Sequence, residues 1–285
     1  MRKQQTSLTA AGIAVARAIE SEKPEGERIC NDPFARRLAP GWLYTLTAVY
    51  DKLGLTERRG PGVMGYLAAR ERYIDDVLQG FLGRGMQQLV ILGAGYDARA
   101  YRFHELSRVR VFEVDHPATQ ADKRARMQAL LGSLPTNVSY VSVDFNTQAL
   151  GERLAESGYD PGLKTLFIWQ GVTMYLTLAA VEDTLRYVAQ YSGPGSAVAF
   201  DYLYRSTLDG VGKHAEVSGM RRYRFMTGEA LTFGIAEGTV EAFLKERGYR
   251  QVHEMNAESL KRAYFTGKNA GRKVASGYGI VVAEI

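Results

Sequence analysis

The chain has 285 residues, 46% of them hydrophobic and 24% charged, which is typical of a folded globular protein and excludes a disordered one. Lysine and arginine exceed aspartate and glutamate by only 36 to 31, without the concentrated basic patch of a nucleic-acid binder. The single cysteine excludes an internal disulfide, the four histidines lack metal-ligand spacing, and no segment has the ~20 apolar residues of a membrane span. We therefore expect a cytoplasmic protein with no metal, nucleic-acid or membrane partner.

The first part of the chain has helical periodicity. From Ser7 to about Leu82, apolar residues recur at helical spacing between proline and glycine interruptions. In one such helix, Leu67 and Ile74 belong to an apolar stripe that also contains Arg70. An arginine on an inward face requires an anion, which is either a carboxylate of the protein core or a carboxylate of a ligand.

From Gln88 onward, short runs rich in β-branched residues alternate with helical segments. The runs are QLVIL, RVRVFEV, NVSYVSV, KTLFIW, SAVAFDY, GYRQVHEM and YGIVVAEI. Pro117 suits the first turn of one intervening helix, and Thr177 can cap another. This succession predicts a parallel sheet with helices on both faces.

We expect a single domain with four parts. Residues 1–84 form a helical N-terminal cover, and residues 85–203 form the cofactor-binding core. Residues 204–238 fit neither the helical nor the strand period and are interpreted as an insertion beside the substrate site. Residues 239–285 supply the last helix and strands of the sheet.

The ends of the first four predicted strands carry residues that suit a nucleoside. In an open parallel sheet, ligands bind beyond the carboxyl ends of the strands. The first strand ends in Gly93-Ala94-Gly95, where backbone without side chains permits close approach. Asp115 ends the second strand about 20 residues later, the separation at which an acid meets a ribose. Asp144-Phe145 and Gln170-Gly171 end the next two strands.

Two cofactors fit this pattern. Gly93, Gly95 and Ala98 formally satisfy the G-x-G-x-x-A motif of a dinucleotide-dependent dehydrogenase. Asp97 adds negative charge to the same turn and so disfavours a pyrophosphate. S-adenosylmethionine has no phosphate, and its carboxylate needs a cation that Arg70 can supply. The residues therefore favour S-adenosylmethionine, with NAD as the alternative.

A series of motifs follows in a fixed order: SLTAAGIAVARAIES, NDPFA, AARERYIDD, LGAGYDARAYRF, FEVDHPATQADKRARM, VDFN, WQGVTMYLT, AFDY, and LTFGI before VEAFLKERGY. In these motifs the chain resembles the leucine carboxyl methyltransferase family, more closely its bacterial branch of polyketide and small-acid O-methyltransferases. The resemblance implies a class I methyltransferase, with an α/β Rossmann-like fold. It implies a seven-stranded, mostly parallel sheet with helices on both faces and a helical N-terminal cover over the site.

The same resemblance implies roles for individual residues. It implies that Arg70 binds the cofactor carboxylate, that Asp115 binds the ribose, and that Asp144 with Phe145 contacts the adenine. Protein-methylating members of the family carry Glu at the position of Gln170, so this chain differs from them there. In full, the predicted cofactor contacts are Arg70, Gly93, Ala94, Gly95, Asp115, Asp144, Phe145, Gln170 and Gly171.

The predicted reaction is O-methylation of a small molecule. A carboxylate acceptor is favoured over a phenolic or polyketide hydroxyl, because no histidine is an obvious general base and a carboxylate needs none. Positioning residues are predicted at Tyr175 and Tyr202, and substrate contacts at Tyr175, Tyr204, Arg205 and Arg224. The alternatives are a protein C-terminal carboxyl methyltransferase and a non-catalytic protein that binds the cofactor.

Overall fold

The computed structural model describes residues 7–143, 148–210 and 230–285. In these residues seven strands form one sheet in the order β3-β2-β1-β4-β5-β7-β6. The strands are β1 Gln88–Leu92, β2 Arg110–Asp115, β3 Val138–Ser142, β4 Thr165–Trp169, β5 Ala197–Leu203, β6 Gln251–Met255 and β7 Tyr278–Glu284. β7 runs antiparallel to both of its neighbours, and the other described pairs are parallel. The predicted seven-stranded, mostly parallel sheet is confirmed.

Helices precede the sheet and alternate with its strands. They are α1 Leu8–Ser21, α2 Ala35–Leu38, α3 Gly41–Lys52, α4 Leu55–Arg59, α5 Val63–Gly83, α6 Arg99–Arg102, α7 Pro117–Leu131, α8 Leu150–Glu156, α9 Leu178–Gln190, α10 Arg205–Leu208, α11 Val240–Lys245 and α12 Ala257–Tyr264. Local capping explains several of their starts. Pro117 is the first residue of α7, and the Thr177 hydroxyl accepts a hydrogen bond from the Ala180 backbone N–H at 3.2 Å.

The sheet has an apolar cluster on each face, because successive side chains of a strand point to opposite faces. On β1, Leu89 belongs to the cluster that includes α5 and α12, and Val90 belongs to the cluster that includes α8, α9 and α11. A third cluster joins α1, α2 and α7 to the turn after β1, where Tyr96 is buried. The N-terminal helices are therefore packed onto the end of the sheet where the first strand stops.

The predicted division into four parts stays a prediction, and residues 211–229 of the predicted insertion lie outside the described residues. In the described part of that segment, Tyr204 directly precedes α10 and pairs with Ile235 in a short parallel bridge. No helix within the described ranges combines the length and the apolar character that crossing a bilayer requires.

The turn after β1 requires glycine at position 93. Gly93 has φ +67°, and a Cβ atom there would overlap the side chain of Val172. We expect Gly93→Ala to lower the free energy of unfolding by about 2–4 kcal/mol, from backbone strain of about 1 kcal/mol and an overlap of about 1–3 kcal/mol. Urea denaturation measures this loss. Gly85→Ala is the control: its φ is +76° and nothing lies within 4 Å of the added Cβ, so only the strain is expected. Equal losses in the two variants would contradict the overlap.

Candidate active site

The glycine turn and the acid of the second strand are joined directly. One carboxylate oxygen of Asp115 accepts a hydrogen bond from the Gly95 backbone N–H, and the other accepts from the His116 N–H at 2.6 Å. Burial raises the pKa of Asp115 above its ordinary value, although these two backbone donors act in the opposite direction. The structure thus brings together two groups that the sequence predicts to share a nucleoside.

Helix α1 lies across the ends of β1 and β4. A Cβ atom at Gly95 would be 3.2 Å from the Cβ of Ala10, and one at Gly171 would be 3.2 Å from Cδ1 of Ile13. Both glycines also have positive φ, at +45° and +72°. These glycines therefore serve the close packing of α1 as well as the approach of a ligand.

Arg70 is buried, with 2% of its surface exposed. Its Nη1 donates to Oδ2 of Asp201 at 2.5 Å, and Oδ1 of Asp201 accepts from the Gly171 N–H at 2.5 Å. The predicted alternative of a core salt bridge is therefore present. It uses one edge of the guanidinium only, because Nε and Nη2 are buried and have no hydrogen-bond partner among the described residues. Nε and Nη2 form a planar donor fork that matches a carboxylate.

Gln170 follows β4 and contacts Glu71, the residue after this arginine. Its Nε2 donates to Oε2 of Glu71 at 2.9 Å, while its Oε1 is buried without a partner in the described part of the chain. The next residue, Gly171, lies against the guanidinium of Arg70: a Cβ there would be 3.4 Å from Nη1 and 3.8 Å from Nη2.

A cluster of buried ion pairs lies beneath the glycine turn. Arg99, with 0% exposed, contacts Asp75 at 2.8 Å through Nε and Glu71 at 3.1 Å through Nη2, and Nη1 pairs with Asp97. Arg102 contacts the same Asp75 and Glu71 at 2.6 and 3.2 Å. Asp97, which the sequence predicts to add negative charge to the turn, is thus paired with Arg99.

Arg17 extends the cluster to helix α1. Its Nε lies 3.0 Å from Asp32, its Nη2 donates to the backbone carbonyl of Tyr96, and its Nη1 is 3.9 Å from Glu71. Burial alone would raise the pKa of Glu71, but Arg99, Arg17 and Arg102 together hold that pKa well below its ordinary value. Sequence reasoning missed these residues; the charged positions in RERYIDD and GYDARAYR were the available signal.

The residues predicted to position or contact the substrate differ in burial and in hydrogen-bond partners. Tyr175 is half-buried in a 3-10 turn, Thr173–Tyr175, shortly after Gly171. The hydroxyls of Tyr202 and Tyr204 donate to Oε1 of Glu254 at 2.6 and 3.0 Å, and burial raises the pKa of both tyrosines well above the usual range. Arg205 is exposed at the start of α10.

Tyr202 does not lie on the Arg70 side of the sheet. It is fully buried in the cluster that faces α9 and α11, and its neighbour Asp201 points to the opposite face, as alternation along β5 requires. Its positioning role stays a prediction. The residues Asp144, Phe145 and Arg224 lie outside the described residues, so their predicted roles stay predictions.

The unpartnered atoms fit the amino-acid tail of S-adenosylmethionine. The fork of Arg70 matches its carboxylate, and Oε1 of Gln170 can accept from its ammonium. Asp115, held against the glycine turn, lies where a ribose acid is expected. The donor set in this structure therefore suits the cofactor that sequence analysis favours.

Three features together define a class I methyltransferase. They are the strand order, the single antiparallel strand among those described, and the acid beside the glycine turn. The family model described as leucine carboxyl methyltransferase matches residues 10–189, and the chain belongs to this family. It is an S-adenosylmethionine-dependent methyltransferase.

Known proteins support this assignment. A Rhodococcus jostii protein, provisionally named as an S-adenosyl-L-methionine-dependent methyltransferase, is 33% identical over 202 residues, which are 70% of this chain and 67% of that protein. A Bacillus subtilis protein with the same provisional name is 28% identical over 201 residues, or 70% of this chain and 66% of its own. The crystal structure of a provisionally assigned methyltransferase from Thermobifida fusca has a TM-score of 0.59 at 14% identity, over 98% of this chain and 95% of that one. The last similarity shows the fold.

The buried ion pairs predict that two arginines contribute very differently to the free energy of unfolding. We expect Arg99→Met to lower the free energy of unfolding by about 3–5 kcal/mol, because it leaves buried carboxylates without their cation. Arg72 on α5 pairs with Asp76 at 2.8 Å, but half of its side chain is exposed, so Arg72→Met should cost only about 0–1 kcal/mol. Urea denaturation of both variants makes the comparison. Similar losses would show that the Arg99 cluster does not stabilise the fold.

Proposed function

We propose that this methyltransferase transfers a methyl group to an oxygen of a small molecule, and that the preferred acceptor is a carboxylate. One observation carries the preference. The acids paired with Arg70, with Gln170 and with the glycine turn are already engaged: Asp201 by Arg70 and the Gly171 N–H, Glu71 by arginines and Gln170, and Asp115 by two backbone N–H groups. None of them is left as a general base. A carboxylate acceptor, with a pKa near ~4, is ionised at neutral pH and needs no base.

We assign the cofactor contacts as follows. Arg70 binds the carboxylate of S-adenosylmethionine through Nε and Nη2, Gln170 accepts from its ammonium, and Asp115 binds its ribose. Asp144 and Phe145 remain the predicted adenine contacts. When bound, the cofactor supplies an electrophilic methyl group on a sulfonium.

The remaining contribution of the protein is orientation and exclusion of water. Holding an acceptor in line with a methyl group can provide about 7–11 kcal/mol of the barrier reduction. Helix α1, with Ala10 and Ile13 against the strand ends, limits the access of water there. Charge is neutralised when a carboxylate attacks a sulfonium, so a poorly hydrated site favours this reaction. Tyr175 and Tyr204 are candidates for contact with the body of the acceptor, and Arg205 and Arg224 for contact with its carboxylate.

The acceptor class predicts the chemical stability of the product. With methyl-labelled cofactor and a panel of fatty, aromatic and polyketide acids, we expect a labelled product that mild alkali cleaves, because a methyl ester hydrolyses and a methyl ether does not. Labelled methanol released by alkali is the measurement, and the same acids supplied as preformed esters are the control. An alkali-stable product would indicate a hydroxyl acceptor. Labelling of a peptide with a C-terminal leucine, and of no small acid, would favour the protein-methylating alternative.

The assignment of Arg70 predicts a selective loss of affinity. We expect Arg70→Met to raise the Kd of S-adenosylhomocysteine about 10-fold to 100-fold, since a hydrogen bond to a charged group is worth about 1.5–3 kcal/mol. The Kd of 5′-methylthioadenosine, which has no carboxylate, should be unchanged. Titration calorimetry measures both ligands, with Arg72→Met as the control on the same helix. An equal effect on both ligands would assign Arg70 to the core alone.

A further inference from the structure

Glu71 is the residue after Arg70 on α5 and is as deeply buried, with 1% of its surface exposed. Its two carboxylate oxygens have different partners. Oε1 contacts Arg99 and Arg102, while Oε2 accepts from Nε2 of Gln170 at 2.9 Å. Glu71 therefore connects the ion pairs beneath the glycine turn with the residue that ends strand β4.

This contact determines which way the Gln170 amide points. A carboxylate can only accept hydrogen bonds, so the amide must direct its NH₂ group towards Glu71. The carbonyl oxygen is then directed away from Glu71, where it is buried and has no partner in the described residues. With Glu71 ionised, the opposite amide orientation would place two acceptors against each other.

With every member ionised, the charges around Glu71 do not balance. In the described residues, the cluster contains three arginines, Arg17, Arg99 and Arg102, and four carboxylates, Asp32, Glu71, Asp75 and Asp97. Arg70 is paired with Asp201 outside this set. An ionised cluster thus has one excess negative charge, and buried charge is stable only when it is compensated.

We propose that Glu71 is a positioning residue for the amino group of the cofactor: it orients the carbonyl of Gln170 towards the ammonium and supplies the negative charge that the glutamine lacks. Arg70 and Glu71 then recognise the two ends of the zwitterionic tail from consecutive positions of one helix, the arginine directly and the glutamate through Gln170. The ammonium provides the cation that completes the cluster. This inference rests on the orientation of the cofactor tail proposed above.

The test compares two ligands that differ in the amino group alone: S-adenosylhomocysteine and its analogue with hydrogen in place of the α-amino group. Titration calorimetry gives the ratio of their Kd values for each variant. We expect Glu71→Gln to reduce the preference for the amino ligand about 10-fold, as expected for the loss of a charge-assisted interaction. The deaminated analogue should bind Glu71→Gln as it binds the wild type.

A double exchange distinguishes positioning from a general structural effect. Glu71→Gln combined with Gln170→Glu retains one amide and one carboxylate in contact but moves the charge to the ligand side, and we expect it to restore the preference for the amino ligand. Asp76→Asn is the control for loss of a carboxylate on α5, because Asp76 is paired with Arg72 and Tyr264 outside the cluster. It should leave the ratio unchanged.

A second variant covers the possibility that Glu71→Gln fails to fold. Gln170→Leu leaves the pairs between Glu71 and the arginines intact, and we expect the same loss of preference. A ratio that is unchanged in Glu71→Gln or in Gln170→Leu would overturn the inference while leaving the proposed function in place. A wild-type protein that binds 5′-methylthioadenosine as tightly as S-adenosylhomocysteine would overturn the tail orientation, and the inference with it.

Discussion

The organisation of the site depends on keeping several charged side chains buried at the end of the sheet where strands β1 and β4 stop. An arginine without exposure, such as Arg99, is stable there only when carboxylates lie within pairing distance of its guanidinium. The partners come from different elements: Asp75 and Glu71 from α5, and Asp97 from the glycine turn. The ion pairs therefore fix α5 relative to that turn, and Arg17 fixes α1 to both. This arrangement positions the groups that face the cofactor.

Arg70, predicted from the sequence as an inward-facing arginine, pairs with one anion and keeps donors for a second. Arg70 gives Nη1 to Asp201 and keeps Nε and Nη2 for another acceptor. A core salt bridge and a ligand contact need not be alternatives, because a guanidinium has five N–H donors on three nitrogens and can satisfy both. Asp201 also accepts from the Gly171 N–H, so the salt bridge holds the arginine against the end of β4. A fixed arginine loses little freedom when it binds a carboxylate.

Close packing by the N-terminal helix gives the glycines a second role. Gly95 and Gly171 were predicted from the approach of a ligand to the backbone, and they also permit Ala10 and Ile13 of α1 to lie against the strand ends. The same absence of a side chain serves both contacts. A cover that is packed this closely limits the water near the donor fork of Arg70, which strengthens electrostatic interactions there.

The sequence by itself determined the succession of strands and helices and the glycine turn after the first strand, because period-2 and period-3.6 patterns and turn glycines are local signals. The antiparallel direction of β7 is not a local signal, and the structure decided it. It also predicted that Asp115 and the glycine turn share one ligand site, since parallel strands end at the same edge of the sheet, and the structure joins them by a hydrogen bond. Only the tertiary structure decided the partners of the charged residues. Glu71 and Gln170 are 99 positions apart, and a charged residue in a sequence shows neither its burial nor its counterion. Tyr202 shows the same limit: the face on which a strand residue lies depends on register and packing, which are settled when the sheet assembles, and only the structure placed its side chain in the cluster that faces α9 and α11.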